Sequence, residues 1–302
     1  MGLHVAGLNS PSRKNTVLRA LRDLSPKAWV GLGIVLFAVF VACAAPWLAP
    51  HKPDAQDLLN MLSPPMWDAN GSPDFPLGTD GLGQCILSRA IYGTRVAIVV
   101  AVSAATGAML LGVVMAMLAG YFGGWVDRVI GYVVDLWMSF PPVVLSLVLM
   151  VGLGTGVVNV ILAIVLVDWT RFCRVVRSDV IVIRRRQYVV AARLLGFGHW
   201  KTMWREILPA VGPLIITLFT LEMGVAVIVE AILSFVGLSV SAGTVAWGVM
   251  IADSRDYLHE APWGMLTPVF CIFLLVLGCN ALGDGLRESL DPALRERERE
   301  QG

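Results

Sequence analysis

The sequence is poor in charged residues and in the residue clusters that carry out chemistry. Only 15% of its 302 residues are charged, whereas a soluble globular domain has about a quarter. Its four histidines stand apart from one another, and the motifs HExxH, GxSxG and GxxxxGK[ST] do not occur. The five cysteines are scattered without a CxxC pair, which favours small apolar packing residues over ligands or disulfides. These absences exclude a soluble domain and leave no candidate catalytic, metal-binding or nucleotide-binding motif.

Long apolar runs take the place of such motifs. Hydrophobic residues make up 57% of the chain, and its mean hydropathy is +0.73. An uncharged run of about 20 residues has the length of a bilayer-spanning helix, and lipid forces the backbone groups of such a run to pair within it. The sequence therefore predicts an all-α polytopic membrane protein with six transmembrane helices, at about 28–50, 96–119, 129–151, 157–173, 207–235 and 263–283.

Glycine and proline subdivide these runs. The uncharged stretch from Leu136 to Val167 is too long for one straight helix, and GLGTG at 152–156 predicts a turn between two spans. Pro141 and Pro142 predict a bend in the first of these spans. The second run has small residues that allow close helix approach in lipid, namely Ser103, Ala104, Ala105, Gly107 and Gly112.

The distribution of Lys and Arg predicts the orientation. Arginine is frequent in the N-terminal segment 1–27, in the segment 171–206 and in the tail 286–302, whereas the loops 51–95 and 239–262 carry more acidic than basic residues. Basic flanks stay in the cytoplasm, so both termini and the 171–206 segment are expected there. The domain organisation expected is then a cytoplasmic segment 1–27, an uncleaved first span 28–50, an external loop 51–95, a permease core 96–285 with a cytoplasmic loop 174–206, and a cytoplasmic tail 286–302.

The segment 171–209 is the one long polar stretch between apolar runs, and nine of the 23 basic residues fall in it. Tyr188, Ala191, Ala192 and Leu195 share one helical face by their spacing, and Gly196 and Gly198 predict the end of that helix. A second short helix with an apolar face of Trp200, Met203, Trp204 and Ile207 is expected to lead into the next span. Such a loop suits docking into the groove of a partner protein, but also a basic amphipathic loop that lies on anionic lipid.

The same segment resembles a known family motif. The pattern AA-R-(x2)-G-(x10)-ILP, at Ala191, Ala192, Arg193, Gly196 and 207–209, is similar to the "EAA" loop of bacterial ABC importer permeases. Further stretches look like the dipeptide, oligopeptide and nickel branch of that family, and within it like the second of two unlike permease subunits. These stretches are PLGTDGLGQCILSRAIYGTR (76–95), GYFGGWVDRVIGYVVDLWMSFP (120–141), EAILSFVGL (230–238), WGVMI (247–251) and NALGDGLRESLDP (280–292).

The resemblance implies a type I ABC importer permease fold in the bacterial inner membrane and a subunit without an ATPase site of its own. It implies three kinds of partner besides membrane lipid: a second homologous permease, two ATP-binding subunits that bind ATP and Mg²⁺, and an extracytoplasmic solute-binding protein. No cofactor in this chain and no nucleic acid are implied. By the match, the contact with the ATPase is formed by Tyr188, Ala191, Ala192, Arg193, Gly196, Gly198, Leu208 and Pro209. Three departures stand out: Val190 replaces the motif's usual Glu, GQC at 83–85 replaces a common GRD, and TPVF at 267–270 replaces a more usual FPG-like sequence.

Four acidic residues lie in or near predicted spans, where an unpaired carboxylate is costly. Asp135 and Asp168 are expected to pair with Arg128 or Arg171. Glu222 and Glu230 are candidates for the translocation path, and a buried hydrogen bond or ion pair is the alternative for them.

The function expected from the resemblance is import of short peptides by alternating access. Nickel or a metal chelate is the alternative cargo, because 151–164 and 247–258 look like nickel-type permeases, although no cluster of soft His or Cys ligands accompanies them. Two alternative functions of other classes are an ion-coupled secondary transporter and a membrane-embedded enzyme or structural anchor.

Overall fold

The computed structural model describes residues 24–239 and 243–290, and within these ranges the chain is helical and has no β-strand. Most of the predicted terminal segments 1–27 and 286–302 lie outside the described residues. The helices are α1 Pro26–Leu48, α2 Ile86–Phe122, α3 Gly124–Met138, α4 Pro142–Leu153, α5 Val157–Ile183, α6 Gln187–Leu194, α7 His199–Thr202, α8 Leu208–Phe235, α9 Trp247–Ser254 and α10 Pro262–Leu290. A π-helical turn, Met203–Ile207, joins α7 to α8 without a break.

Within the described ranges, four helices are long and apolar enough to cross a membrane, namely α1, α2, the continuous helix His199–Phe235 and α10. The pair α3 and α4, bent by 88°, adds a fifth crossing if it is counted as one broken span. Helix α5 has 27 residues but carries Asp168, Arg171 and Arg174. The predicted count of six is therefore not confirmed by length and composition, because one of the predicted spans is charged.

The predicted interruptions of the apolar runs are confirmed. The bend of 88° between α3 and α4 falls at Pro141 and Pro142. The glycine-rich turn ends α4 at Leu153 and begins α5 at Val157, with Gly154 at φ +80°. Helix α2, in contrast, begins at Ile86, ten residues before the uncharged run, and Arg89 in its first turn forms ion pairs with Asp80 and Asp253.

The central contact of the fold joins α2 to α5 through small residues. A Cβ atom at Gly112 would lie 2.5 Å from the carbonyl oxygen of Trp169, and one at Gly107 would lie 2.5 Å from Val165. Ala104 and Ala105 are fully buried, whereas Ser103 is exposed. Small side chains thus let two helix backbones approach closely in lipid, as predicted for this run.

The turns at one end of the bundle, which we call the acidic end, are joined by hydrogen bonds. The backbone N–H of Gly156, before α5, donates to the carbonyl of Ser239, after α8, at 2.6 Å. The indole N–H of Trp263, at the start of α10, donates to the carbonyl of Thr79 at 3.2 Å. The acidic end therefore comprises 49–85, 154–156, 236–239 and 243–261.

The opposite end, which we call the basic end, collects the other helix termini. Tyr121, at the end of α2, hydrogen-bonds through its hydroxyl to Nδ1 of His199 at 3.0 Å. The backbone N–H of Ser25, before α1, donates to Oγ of Ser289 in α10 at 3.1 Å. The basic end therefore comprises 121–124 and 184–207 together with the start of α1 and the end of α10.

Helix α1 contains a proline whose effect is compensated by α2. Pro46 has no N–H, so the carbonyl of Ala42, four residues before it, has no helical partner. Nε of Arg95 donates to that carbonyl at 2.7 Å. The arginine thereby satisfies a backbone acceptor that lipid cannot satisfy.

The close approach of α1 to α10 gives a test of the packing. A Cβ atom at Gly31 would lie 2.3 Å from the backbone nitrogen of Leu282, whereas one at Gly33 meets no atom within 4 Å. We expect Gly31→Leu to force α1 away from α10 and to destabilise the protein by about 2 kcal/mol, seen as a lower unfolding midpoint in detergent. Gly33→Leu, on the same helix, is the matched control. Equal midpoints for the two variants would contradict this contact.

Candidate functional site

Helix α6 carries the predicted family motif, and its C-terminal end has a defined geometry. Gly196 adopts φ +89°, its N–H donates to the carbonyl of Arg193 at 3.0 Å, and the N–H of Phe197 donates to the carbonyl of Ala192 at 3.1 Å. This pair of bonds is the Schellman motif, which places glycine just after the helix. A Cβ atom at Gly196 would meet nothing within 4 Å, so the backbone conformation and not space favours glycine here. The predicted helix end is confirmed.

The face predicted for α6 is divided between the interior and the surface. Ala192 points inward together with Val189, which belongs to the apolar core at the basic end. Tyr188 and Ala191 are exposed. Leu194 and Leu195 are 84% and 81% exposed. We call Tyr188, Ala191, Leu194 and Leu195 the α6 outer face.

The other residues that the resemblance assigns to the contact lie along the same loop. Arg193 is exposed in the last turn of α6, and Gly198 is the residue before α7. Leu208 is half-buried and Pro209 is exposed in the first turn of α8. Together with the α6 outer face they form one continuous stretch of the basic end.

Two contacts outside the motif hold this loop. The guanidinium of Arg184 donates to the carbonyl of Tyr121 at 2.9 Å, and the hydroxyl of Tyr121 reaches His199. Beneath α6, Val189 lies in one apolar core with Met203 and Ile207. The sequence gives no local signal for the Tyr121 contacts, since the partners lie 63 and 78 positions away. The loop is therefore fixed to α2 and is not a free segment.

Three arginines of α5 each pair with an acidic residue on another helix. Arg171 lies 3.3 Å from Glu222 in α8, and Arg174 lies 2.5 Å from Asp135 in α3. The third pair is Arg177 with Asp127 in α3, a two-pronged contact whose second bond measures 2.8 Å. The sequence does contain a signal for these pairs, which is the spacing of three positions between the arginines of α5. Each step of three positions turns the side chain by about 60° around the helix, so neighbouring arginines lie on one side.

The predicted partner of Asp135 is wrong, whereas Asp168 does lie near Arg171. Asp135 pairs with Arg174, not with Arg128 or Arg171. Arg171 forms its ion pair with Glu222, and Asp168 lies beside that glutamate. The reason is geometric: α3 and α5 run antiparallel, which sets Asp135 against the middle of α5.

The two candidate path residues are buried inside the described chain. The Glu222 side chain is 1% exposed, and its Oε1 atom has no hydrogen-bond partner among the described residues. Glu230 accepts hydrogen bonds from the hydroxyls of Ser234 at 2.5 Å and Ser239 at 3.3 Å. This environment is the one expected of the alternative, a buried ion pair for Glu222 and buried hydrogen bonds for Glu230.

Two family models match the chain. The model described as "Binding-protein-dependent transport system inner membrane component" matches residues 108–296. The model described as "N-terminal TM domain of oligopeptide transport permease C" matches residues 24–65. The first match contains α5, α6 and the whole Arg184–Pro209 loop.

Curated relatives match over nearly the whole chain. The dipeptide transport system permease protein DppC of Alkalihalophilus pseudofirmus is 36% identical over 89% of this chain and 86% of its own length. The nickel transport system permease protein NikC of Escherichia coli K12 is 39% identical over 90% of this chain and 96% of its own. The glutathione transport system permease protein GsiD of Pectobacterium atrosepticum is 33% identical over 86% of this chain and 85% of its own.

These matches agree with the apolar helices of the structure on a multi-pass protein of the inner membrane. They also agree with a transport subunit whose ATPase activity resides in other subunits. The chain belongs to the binding-protein-dependent transport system inner membrane components, in the branch of the dipeptide, oligopeptide and nickel permeases.

Proposed function

We propose that this chain is one permease subunit of an ATP-driven importer and that it forms, with a second homologous permease, the translocation path for short peptides. The α6 outer face is the observation that carries this proposal. Two ATP-binding subunits, which bind ATP and Mg²⁺, drive the movement, and an extracytoplasmic solute-binding protein delivers the cargo.

The chemistry of the α6 outer face suits a protein groove. Leu194 and Leu195 are almost fully exposed at the end of a short helix whose other side is fixed in the core. A helix that lays exposed apolar residues into a groove is a recurrent recognition mode. The hydrogen bonds of Tyr121 with His199 and Arg184 connect the loop to α2. A force applied to α6 is therefore passed to a helix that runs to the acidic end.

Six crossings of the membrane, with both termini in the cytoplasm, are part of the proposal. The contacts at the two ends support it, because α1, α2, the α3–α4 pair, α5, α8 and α10 each lead from one end to the other. Helix α5 is less apolar than the other spans because it carries charged residues. Two of these, Arg171 and Arg174, are paired with Glu222 and Asp135. Paired charges that face protein are tolerated at membrane depth.

Nickel or a metal chelate is the second candidate cargo. The identity of 39% with NikC over 96% of that protein supports it, as the identity of 36% with DppC supports a dipeptide. Uptake of a labelled dipeptide and of ⁶³Ni²⁺ by cells that carry the whole transporter separates the two. Uptake of neither, while another solute is imported, would contradict both.

Loss of coupling is the first prediction of the proposed function. We expect Gly196→Asp to leave the permease in the membrane but to release the ATP-binding subunits, because it adds a charge beside the α6 outer face at a position of φ +89°. The measurement is co-purification of the ATP-binding subunits and the ATP hydrolysis of the complex, with a loss of about tenfold or more.

Gly243→Asp is the matched control for this substitution. Gly243 also has a positive φ, of +85°, and open space around it, but it lies at the acidic end. Gly243→Asp introduces the same backbone strain and the same charge as Gly196→Asp. Because it does so at the opposite end of the bundle from the loop, the ATP-binding subunits should stay bound. Normal coupling in Gly196→Asp would count against the assignment of the loop.

The orientation of the two ends gives the second prediction. We expect Thr155→Cys, in the turn between α4 and α5, to react with a membrane-impermeant thiol reagent in intact spheroplasts. Arg193→Cys should react only in inside-out vesicles, because six crossings put α6 in the cytoplasm. Reaction of both cysteines from the same side of the membrane would disprove the proposed topology.

The carboxylates around Arg171 give the third prediction. We expect Arg171→Gln to destabilise the protein by about 2 kcal/mol, because Glu222 and Asp168 then face each other without a cation. This value is reduced from that of a fully buried pair, since the Arg171 side chain is 45% exposed. Glu222→Gln should cost less, because Asp168 still accompanies Arg171.

The double variant Arg171→Gln with Glu222→Gln is the check on this prediction. It should recover most of the unfolding midpoint in detergent, since cation and anion are removed together. Glu222→Gln also tests whether Glu222 lines the translocation path. A wild-type transport rate in this variant would mean that Glu222 only stabilises the contact between α8 and α5.

A further inference from the structure

A cavity between α3 and α5 has five charged side chains in its lining and extends from the basic end toward the middle of the bundle. Its volume is about 390 Å³, and two ion pairs form its wall, Arg177 with Asp127 and Arg174 with Asp135. Asp135 lies eleven residues after Gly124, which is about 16 Å along the helix. The Asp135 and Arg174 side chains remain 67% and 50% exposed although they are paired.

In the six-crossing arrangement proposed above, these exposed charges argue against contact with lipid. A carboxylate and a guanidinium that face hydrocarbon are costly, so such groups face a water-filled space or a partner. Helix α3 has one buried residue, Val134. Val134 belongs to one apolar cluster with Cys173 and Val176 of α5. Beside this cluster lie the two ion pairs and the indole N–H of Trp137, which donates to the carbonyl of Leu166 at 2.6 Å. The side of α3 that faces α5 therefore combines an apolar contact with charged and polar groups.

The charges of the cavity are not balanced. Arg174 and Arg177 are matched by two aspartates, but Arg128 also lines the cavity and forms no ion pair within the described chain. Its guanidinium is exposed, and a guanidinium binds a carboxylate through two parallel hydrogen bonds. The volume lies in the range of small-ligand sites, about 300–1,000 Å³.

We propose that this cavity is an aqueous waypoint of the translocation path, in which Arg128 receives a carboxylate group of a peptide cargo on its way to the basic end. This inference rests on the proposed function as an importer permease. Arg171 continues the basic line toward the middle of α5, one step beyond Arg174, with Glu222 behind it. A cargo anion thus meets Arg171, Arg174 and Arg128 in order as it moves toward the cytoplasm.

Thiol labelling tests the cavity without knowledge of the cargo. Gly131 lines the cavity, and a Cβ atom there meets nothing within 4 Å. We introduce Gly131→Cys into the assembled transporter with Cys43→Ala and Cys173→Ala as the parent. The probes are an anionic and a cationic methanethiosulfonate, applied to inside-out vesicles. Gly33→Cys is the control on an open helix face. Gly33 lies seven residues after the start of α1, as Gly131 lies seven residues after the start of α3.

The expected result is that Gly131→Cys reacts and Gly33→Cys does not. The anionic reagent should react faster than the cationic one by about tenfold, and Arg128→Gln should abolish this preference while Arg128→Lys keeps it. A cysteine at 131 as unreactive as that at 33, or a preference unchanged by Arg128→Gln, overturns the proposal. Protection of the cysteine only in vesicles rich in anionic lipid assigns the site to a lipid headgroup and also overturns it.

Transport provides the second arm. The probes are labelled dialanine and its C-terminal amide, in proteoliposomes with the binding protein and the ATP-binding subunits. Arg128→Gln should lower uptake of dialanine severalfold relative to uptake of the amide. Arg255→Gln, an exposed arginine at the acidic end, should change neither.

The two arms separate this inference from the proposed function. A wild-type complex that imports neither peptide fails as a peptide importer, but the labelling result on Gly131→Cys still decides whether a positive aqueous cavity exists. If the wild-type complex imports dialanine and Arg128→Gln leaves that rate unchanged, the importer function stands and the waypoint is disproved.

Discussion

The absence of water from the hydrocarbon layer is the constraint on which this structure depends. Polar groups inside the layer need partners from the protein itself, and several irregular positions of the described chain have one. The carbonyl of Ala42, which has no helical partner because of Pro46, accepts a hydrogen bond from Arg95. The acidic residues of α3 and α8 receive the arginines of α5, and Glu230 receives two serine hydroxyls. The arginine contacts join different helices and so hold the helices together, whereas Glu230 and Ser234 belong to the same helix.

The basic end combines a fixed side with an exposed side. Val189 and Ala192 hold α6 against the core, while the α6 outer face has no partner within the described chain. The Schellman end at Gly196 turns the backbone sharply, so that the second half of the loop returns to α8 through a π-helical turn. An element with this construction can receive a push on one side and transmit it on the other.

The periodic features of the chain could be predicted, whereas the contacts between distant residues could not. Apolar length, glycine and proline sufficed for the all-α class, the bend at Pro141 and the turn at Gly154, and the family pattern located α6. The inward position of Ala192 could not be foreseen, because spacing alone does not tell which side of an eight-residue helix meets the core. The partner of Asp135 was predicted wrongly, since local proximity favoured Arg128 while the antiparallel pairing of α3 with α5 supplied Arg174.

Helix α2 is unbroken from Ile86 to Phe122, 37 residues or about 55 Å. Near its first turn, Arg89 is tied to the acidic end through Asp80 and Asp253, and at its last turn Tyr121 is tied to the loop that holds α6. No proline lies between these two anchor points. A tilt imposed on α2 at the basic end is therefore transmitted along one continuous helix to the acidic end, so the two ends of the bundle are mechanically linked.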